Sequence, residues 1–243
     1  RDTLDYKEED WPDIEKAHAA KITLLDRQIG RLINKLKELG ELDNTLILFT
    51  SDNGPHFDNG GHELEFFNSN GNLKGGKRDL YEGGIRVPLI AYWKNKIKSN
   101  SKTYHISGFQ DIMSTFAEII GYKIPKGLDG ISFLPTLISK DQSKHDYLNW
   151  EFQLSGWFQN LPNGGFRQSV RFDHWKAVRY NLNSDIELYD LNEDKGETNN
   201  QAHSHPKIVK KAQDIFENSR SEQYGFPYGG VVQNYKSMER FVQ

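Results

Sequence analysis

The chain contains no cysteine. Disulfides, thiolate metal sites and a cysteine nucleophile are therefore excluded within these residues. Apolar continuity is also scarce. Hydrophobic residues make up 36% of the 243, and the mean hydropathy is −0.76. No run approaches the roughly 20 apolar residues that a membrane-spanning helix needs. Charge of one sign is missing too: 31 basic and 34 acidic residues are well mixed and sum to −3. That balance leaves no electrostatic footprint for nucleic acid. The opening stretch Arg1–Asp10 has neither an initiator Met nor an apolar leader segment, so it is expected to be the interior of a longer chain. The length suits one large or two modest domains with a real core.

What is present is ordered. After Pro12, apolar residues recur at Ile14, Ala17, Ile22, Leu25, Ile29, Leu32, Ile33, Leu36 and Leu39. Spacings of three and four predict a long amphipathic helix, with Gly40 as its stop. Thr45–Thr50 is a short β-rich run without polar alternation. It predicts a strand covered on both faces, as in the parallel sheet of an α/β fold. Residues 52–80 read as one long loop rich in Gly, Asn and charge, and such loops are usually functional. A turn at Tyr81–Gly84, a strand at Val87–Trp93 and a helix at Ile106–Ile120 follow, with Phe133–Ile138 packing on the core. Beyond about residue 146 the pattern changes. Short strands are predicted at 147–152, 168–172, 175–180 and 186–190, and a helix from His205-Pro206 to about Ser219. The expected division is residues 1–146, an α/β domain, and 147–243, a small antiparallel α+β subdomain with a tail.

Two constellations carry chemistry. Asp52-Asn53-Gly54 directly follows the first strand. Taken alone, the tripeptide reads first as an Asx turn closing a strand. Its second reading is a carboxylate and an amide carbonyl offered as hard oxygen ligands to Ca²⁺ or Mg²⁺ at a strand's carboxyl end. Ca²⁺ takes about 6–8 oxygens, so further ligands would come from elsewhere. The second constellation runs Asn72-Leu73-Lys74-Gly75-Gly76-Lys77-Arg78-Asp79-Leu80-Tyr81-Glu82-Gly83-Gly84-Ile85-Arg86-Val87-Pro88. Lysines among glycines can approach an anion through ammonium and backbone N–H together; a solvated basic loop is the plainer reading. The spacing is not that of a P-loop.

Together these segments resemble the C-terminal half of the type I sulfatases, in the alkaline phosphatase superfamily. Phe49-Thr50-Ser51-Asp52-Asn53-Gly54 and Gly76-Lys77-(x)3-Tyr81-Glu82-Gly83-Gly84-Ile85-Arg86-Val87-Pro88 carry the likeness. Three further stretches fit in the right order. Leu25-Asp26-(x)3-Gly30-(x)5-Leu36 with Asp43-Asn44-Thr45 is similar to the family's pre-strand helix and turn. Asp111-Ile112-Met113-Ser114-Thr115 is similar to its Asp-(x)2-Pro-Thr helix, with Ser114 in place of Pro. Glu187-Leu188-Tyr189-Asp190-Leu191 with Asp194, Glu197 and Asn200 is similar to its C-terminal signature.

The resemblance implies part of an alkaline-phosphatase-like mixed sheet flanked by helices, followed by the small antiparallel subdomain. It implies a sulfuric ester hydrolase of sulfated carbohydrates or aryl sulfates, and a periplasmic or secreted setting. Asp52 and Asn53 would be ligands of a Ca²⁺ (or Mg²⁺). Lys77 would be the catalytic lysine on the sulfate, with Lys74 and His56 as further substrate contacts. The family's formylglycine nucleophile comes from a Cys/Ser-x-Pro-Ser-Arg motif, which is absent from these residues. The chain is thus expected to be inactive alone and to pack against a missing N-terminal half or another copy. Two other readings stand beside this one: a phosphatase or phosphodiesterase of the same superfamily, and a noncatalytic carbohydrate-binding module. Asn53, where those enzymes usually carry His, argues against the first.

The remaining candidates read more blandly. His56 and His62 flank the metal pair; a loop histidine is the simpler reading for both. His105 and His174 read as structural or surface residues. Glu82 and Arg86 read as an internal ion pair shaping the Gly-rich turn. Trp157, Phe158 and Phe166, near Asn160 and Asn163, could meet a sugar ring or a core.

Overall fold

A computed structural model describes residues 4–56, 61–153, 165–221 and 228–229. Among them the chain order is α1 (Asp13–Glu38), β1 (Ile47–Thr50), α2 (Leu64–Phe67), α3 (Glu82–Ile85), β2 (Leu89–Tyr92), α4 (Asp111–Ile119), α5 (Leu134–Leu137), β3 (Leu148–Gln153), β4 (Phe166–Phe172), β5 (Trp175–Arg179), β6 (Glu187–Asp190) and α6 (Pro206–Asn218). Trp157, Phe158, Asn160, Asn163 and most of the tail lie outside the described residues. The chain divides into two compact units. One comprises Arg1–Asp52, His56–Ser69 and Val87–His145; the other comprises Asn53–Pro55, Asn70–Arg86 and Asp146–Gln243.

In the first unit, α1 begins directly after Pro12, whose missing N–H costs nothing at a helix start. Trp11 anchors that end, stacked on Tyr6 at 5.6 Å and edge-on to Phe66 and Phe67 at 5.8 and 5.2 Å. Glu15 is 1% exposed and accepts from the Glu63 amide at 2.8 Å. β1 and β2 pair antiparallel, Ile47 with Tyr92 through Thr50 with Leu89. The parallel, doubly covered strand expected from the apolar run is therefore not what the described residues form. Phe49, Leu89, Ile90 and Tyr92 stand exposed. An apolar run reports that both faces want cover, not which strand lies beside it. Helix α4 starts at Asp111, later than the predicted Ile106. The fully buried Asp111 carboxylate accepts from the Gly108 and Ile131 amides at 2.8 Å and lies 2.8 Å from His145 Nε2.

The second unit is built on the antiparallel sheet β3-β4-β5-β6. Its side chains alternate with period 2. One face brings Val170, Phe172, Trp175, Ala177 and Leu188 against Ala212 and Phe216 of α6. The other face carries Arg167, Arg171, Lys176, Val178, Glu187 and Tyr189. There Tyr81 packs with Val178 and Tyr189. Segment 70–86 thus covers the second sheet face, so β4 and β5 are buried on both sides. Phe166 is 0% exposed, which makes it core rather than a sugar platform.

Candidate functional site

The lysine-bearing segment folds around close backbone contacts that only glycine permits. The Gly54 amide donates to the Gly84 carbonyl at 2.8 Å, and the Lys77 amide donates to the Pro55 carbonyl at 2.8 Å. The Gly83 amide donates to the Lys74 carbonyl at 2.8 Å. A Cβ on Gly54 would fall 1.8 Å from the Gly83 carbonyl oxygen. On Gly83 it would fall 2.2 Å from the Gly75 oxygen, and on Gly84 2.1 Å from the Asp79 oxygen. The turn after Asn53, the two lysines and the Glu82–Gly84 helix start are thereby locked to one another. Arg78, next to Lys77, sits at φ +78°. Bulky residues in that region are strained, and such strain gathers where a structure over-determines the backbone.

Beneath the loop lies a buried charge network. Glu82 is 1% exposed and meets Arg171 at 2.9 Å, Lys176 at 3.3 Å and Arg86 at 3.6 Å. The ion pair expected of Glu82 and Arg86 is present, with two further cations on the sheet. Lys176 is wholly buried; desolvation draws its ammonium below the ordinary lysine range, against the pull of Glu82 and Glu197. Glu197 is 1% exposed and accepts the Glu82 amide at 2.7 Å, while its other oxygen, Oε1, has no hydrogen-bond partner among the described residues. Burial raises its carboxyl to about 7, opposed by Lys176 and by the bond from Glu82. At the loop's flank, Arg167 donates to the Arg78 carbonyl at 2.9 Å and meets Asp79 at 3.4 Å.

The residues singled out in the sequence fall as follows. Asp52 is exposed and Asn53 half-buried, consecutive after β1. Lys77 is half-buried in the glycine-locked segment, and His56 is exposed. Lys74 is engaged: its ammonium donates to Tyr189 Oη at 3.0 Å, lies 3.6 Å from Glu187 and sits 3.9 Å over the Tyr81 ring. His62 is buried, 3.1 Å from Glu15 and stacked on His18 at 3.8 Å. Reading by sequence missed Arg167, Arg171 and Lys176 as partners of the loop. The alternation in β4 and β5 put them opposite the core face, where solvent is the default. The donor chemistry at Asp52 and Asn53 fits a hard divalent cation. Their number alone does not complete a shell, and no group of three or more His, Cys, Asp or Glu able to hold a metal occurs among the described residues.

Two family models match the chain. The one described as Sulfatase matches residues 5–122, and the one described as N-sulphoglucosamine sulphohydrolase, C-terminal, matches residues 75–222. The N-acetylgalactosamine-6-O-sulfatase of Bacteroides thetaiotaomicron is 30% identical over 213 residues, covering 82% of this chain and 41% of the relative. A sulfatase solved in work on glycosaminoglycan metabolism by the same bacterium superposes with a TM-score of 0.64 at 30% identity, over 80% of this chain and 42% of its own. A structure holding its substrate D-glucosamine-2-N,6-O-disulfate superposes with a TM-score of 0.66 at 25% identity, over 84% and 40%. The chain spans less than half the length of each.

Proposed function

The chain belongs to the sulfatase family, and from this premise we propose that it supplies one part of a sulfuric ester hydrolase acting on sulfated carbohydrate. Asp52 and Asn53 are two ligands of a Ca²⁺, and Lys77 is the cation that meets the sulfate. The observation that carries the reading is the lock between the Asn53–Pro55 turn and the lysine segment, made by the Gly54–Gly84 and Lys77–Pro55 backbone bonds. An ammonium on a backbone held this firmly is preorganised for an anion, and preorganised charge is worth most where charge develops in the transition state. A bound divalent cation would supply neutralisation of sulfate oxygens and acidification of a nucleophilic hydroxyl. Lys77 would balance the sulfate charge from its own side, with His56 a further substrate contact. The sulfated-sugar class follows relatives named for N-acetylgalactosamine-6-O- and N-acetylglucosamine-6-O-sulfatase activity.

Calcium titration of the protein at the full length its gene encodes, read by calorimetry and thermal unfolding, tests the metal half. Binding should weaken at least tenfold in Asp52→Ala and in Asn53→Ala. Equal binding by wild type and both variants would remove the metal assignment. The sulfate half is tested with the protein at the full length its gene encodes: Lys77→Ala should lower kcat/KM on a sulfated sugar by at least a hundredfold. The 243 residues alone, loaded with Ca²⁺, should turn over no aryl sulfate; turnover would show that the nucleophile is among them.

A further inference from the structure

Strand β6 and the polypeptide after it reach back to the lysine segment at three places. Glu187 accepts from both Tyr81 Oη and Tyr189 Oη at 2.6 Å. Tyr189 accepts from the Lys74 ammonium at 3.0 Å. Glu197 accepts the Glu82 amide at 2.7 Å, the first N–H of the turn whose glycines pack on Lys74, Gly75, Gly76 and Asp79. Two further features set Glu197 apart. Its φ is +52°, a left-handed backbone that a glutamate adopts only under constraint. Its carboxyl is also buried, and Oε1 has no hydrogen-bond partner among the described residues, a costly arrangement. Just before it, Gly196 lies so close to the Asn72 carbonyl that a Cβ would stand 3.0 Å from that oxygen.

We propose that Glu197, with Tyr189 and Glu187 as a second tie, is a positioning residue that acts on the sulfate through Lys77. Lys74 is then the clamp's anchor and not a substrate ligand, because its ammonium is already satisfied by a phenol, a carboxylate and an aromatic face. The proposal rests on Lys77 as the sulfate contact. Its logic is mechanical: Glu197 fixes the Glu82 amide, the turn fixes Gly83 and Gly84, and these fix the backbone on either side of Lys77.

Amide hydrogen exchange on the chain tests the clamp without any substrate. In Glu197→Ala, the amides of Lys77, Gly83 and Gly84 should exchange at least tenfold faster, while those of Val170 and Ala177 keep their protection. Glu197→Gln retains an acceptor oxygen and should restore protection at all three. Unchanged exchange in Glu197→Ala, or loosening spread evenly over β4 and β5, overturns the proposal. Should Glu197→Ala fail to fold, Tyr189→Phe removes one hydroxyl only. It should speed exchange at Gly83 at least threefold, and no change there overturns the second tie. In the full-length enzyme, Glu197→Ala should lower kcat/KM in the wild-type background but have no further effect in Lys77→Ala, since coupled residues are non-additive. An undiminished effect in that background means the residue does not act through Lys77. If Lys77→Ala itself leaves turnover intact, the sulfate reading falls, while the exchange data still decide whether the clamp exists.

Discussion

At Gly83 a hydrogen stands where any other residue would drive a methyl group into two carbonyl oxygens, 2.2 and 2.4 Å away. Gly83→Ala should cost about 1–3 kcal/mol or more by denaturant unfolding, because backbone on both sides cannot yield. Gly30 makes the control: it sits inside α1, and nothing lies within 4 Å of the place a Cβ would take. Gly30→Ala should stabilise by about 0.5–1 kcal/mol. Glu197 adds a pH signature. Its carboxyl is raised in the folded chain from the ordinary 4.5 to about 7. The folded state therefore holds the proton more tightly than the unfolded one. Its stabilising share is complete below about pH 4.5 and is lost as pH rises through about 7. Unfolding free energy should fall across that window, and Glu197→Gln should flatten the slope.

At the scale of elements, the α/β region and the small sheet are held by different means. β3 to β6 form a ladder whose one face meets α6 through Phe216, which is 0% exposed. Phe216→Ala should cost about 3–5 kcal/mol in unfolding measurements. The other face is polar yet buried, because the lysine segment lies on it. Helical periodicity revealed α1, and short apolar or β-rich runs bounded by turn residues revealed β1, β2 and the four sheet strands, to within a few residues. These signals did not reveal α3, whose four residues Glu82–Ile85 contain two glycines. That short helix carries the Glu197 contact and the close packing of Gly83 and Gly84, and neither has a local signature. Nor did they reveal that β1 and β2 pair antiparallel, because an apolar run is the same in either direction.

At the scale of the whole molecule, the first unit leaves much apolar surface uncovered. Ile22, Leu32, Ile90, Met113 and Ile120 are each more than half exposed. Exposed apolar surface on this scale marks an interaction face, and among the described residues β1 pairs with β2 in a two-stranded sheet. The chain should therefore self-associate or bind another polypeptide segment over these faces. Sedimentation and small-angle scattering check this; a compact, monodisperse monomer at all concentrations would count against it.

The amino-acid sequence by itself determined the family, through five motifs in order, and the residues to suspect, Asp52, Asn53 and Lys77. Motifs survive in one dimension because backbone turns and ligand types are local. Only the tertiary structure decided that segment 70–86 belongs with the carboxyl-terminal sheet, that Lys74 is held by Tyr189 and Glu187, and that Glu197 grips the turn at Glu82. Those contacts join residues more than a hundred positions apart. Their partners are buried or half-buried polar side chains, and a charged residue in a strand looks the same in sequence whether water or another loop lies above it.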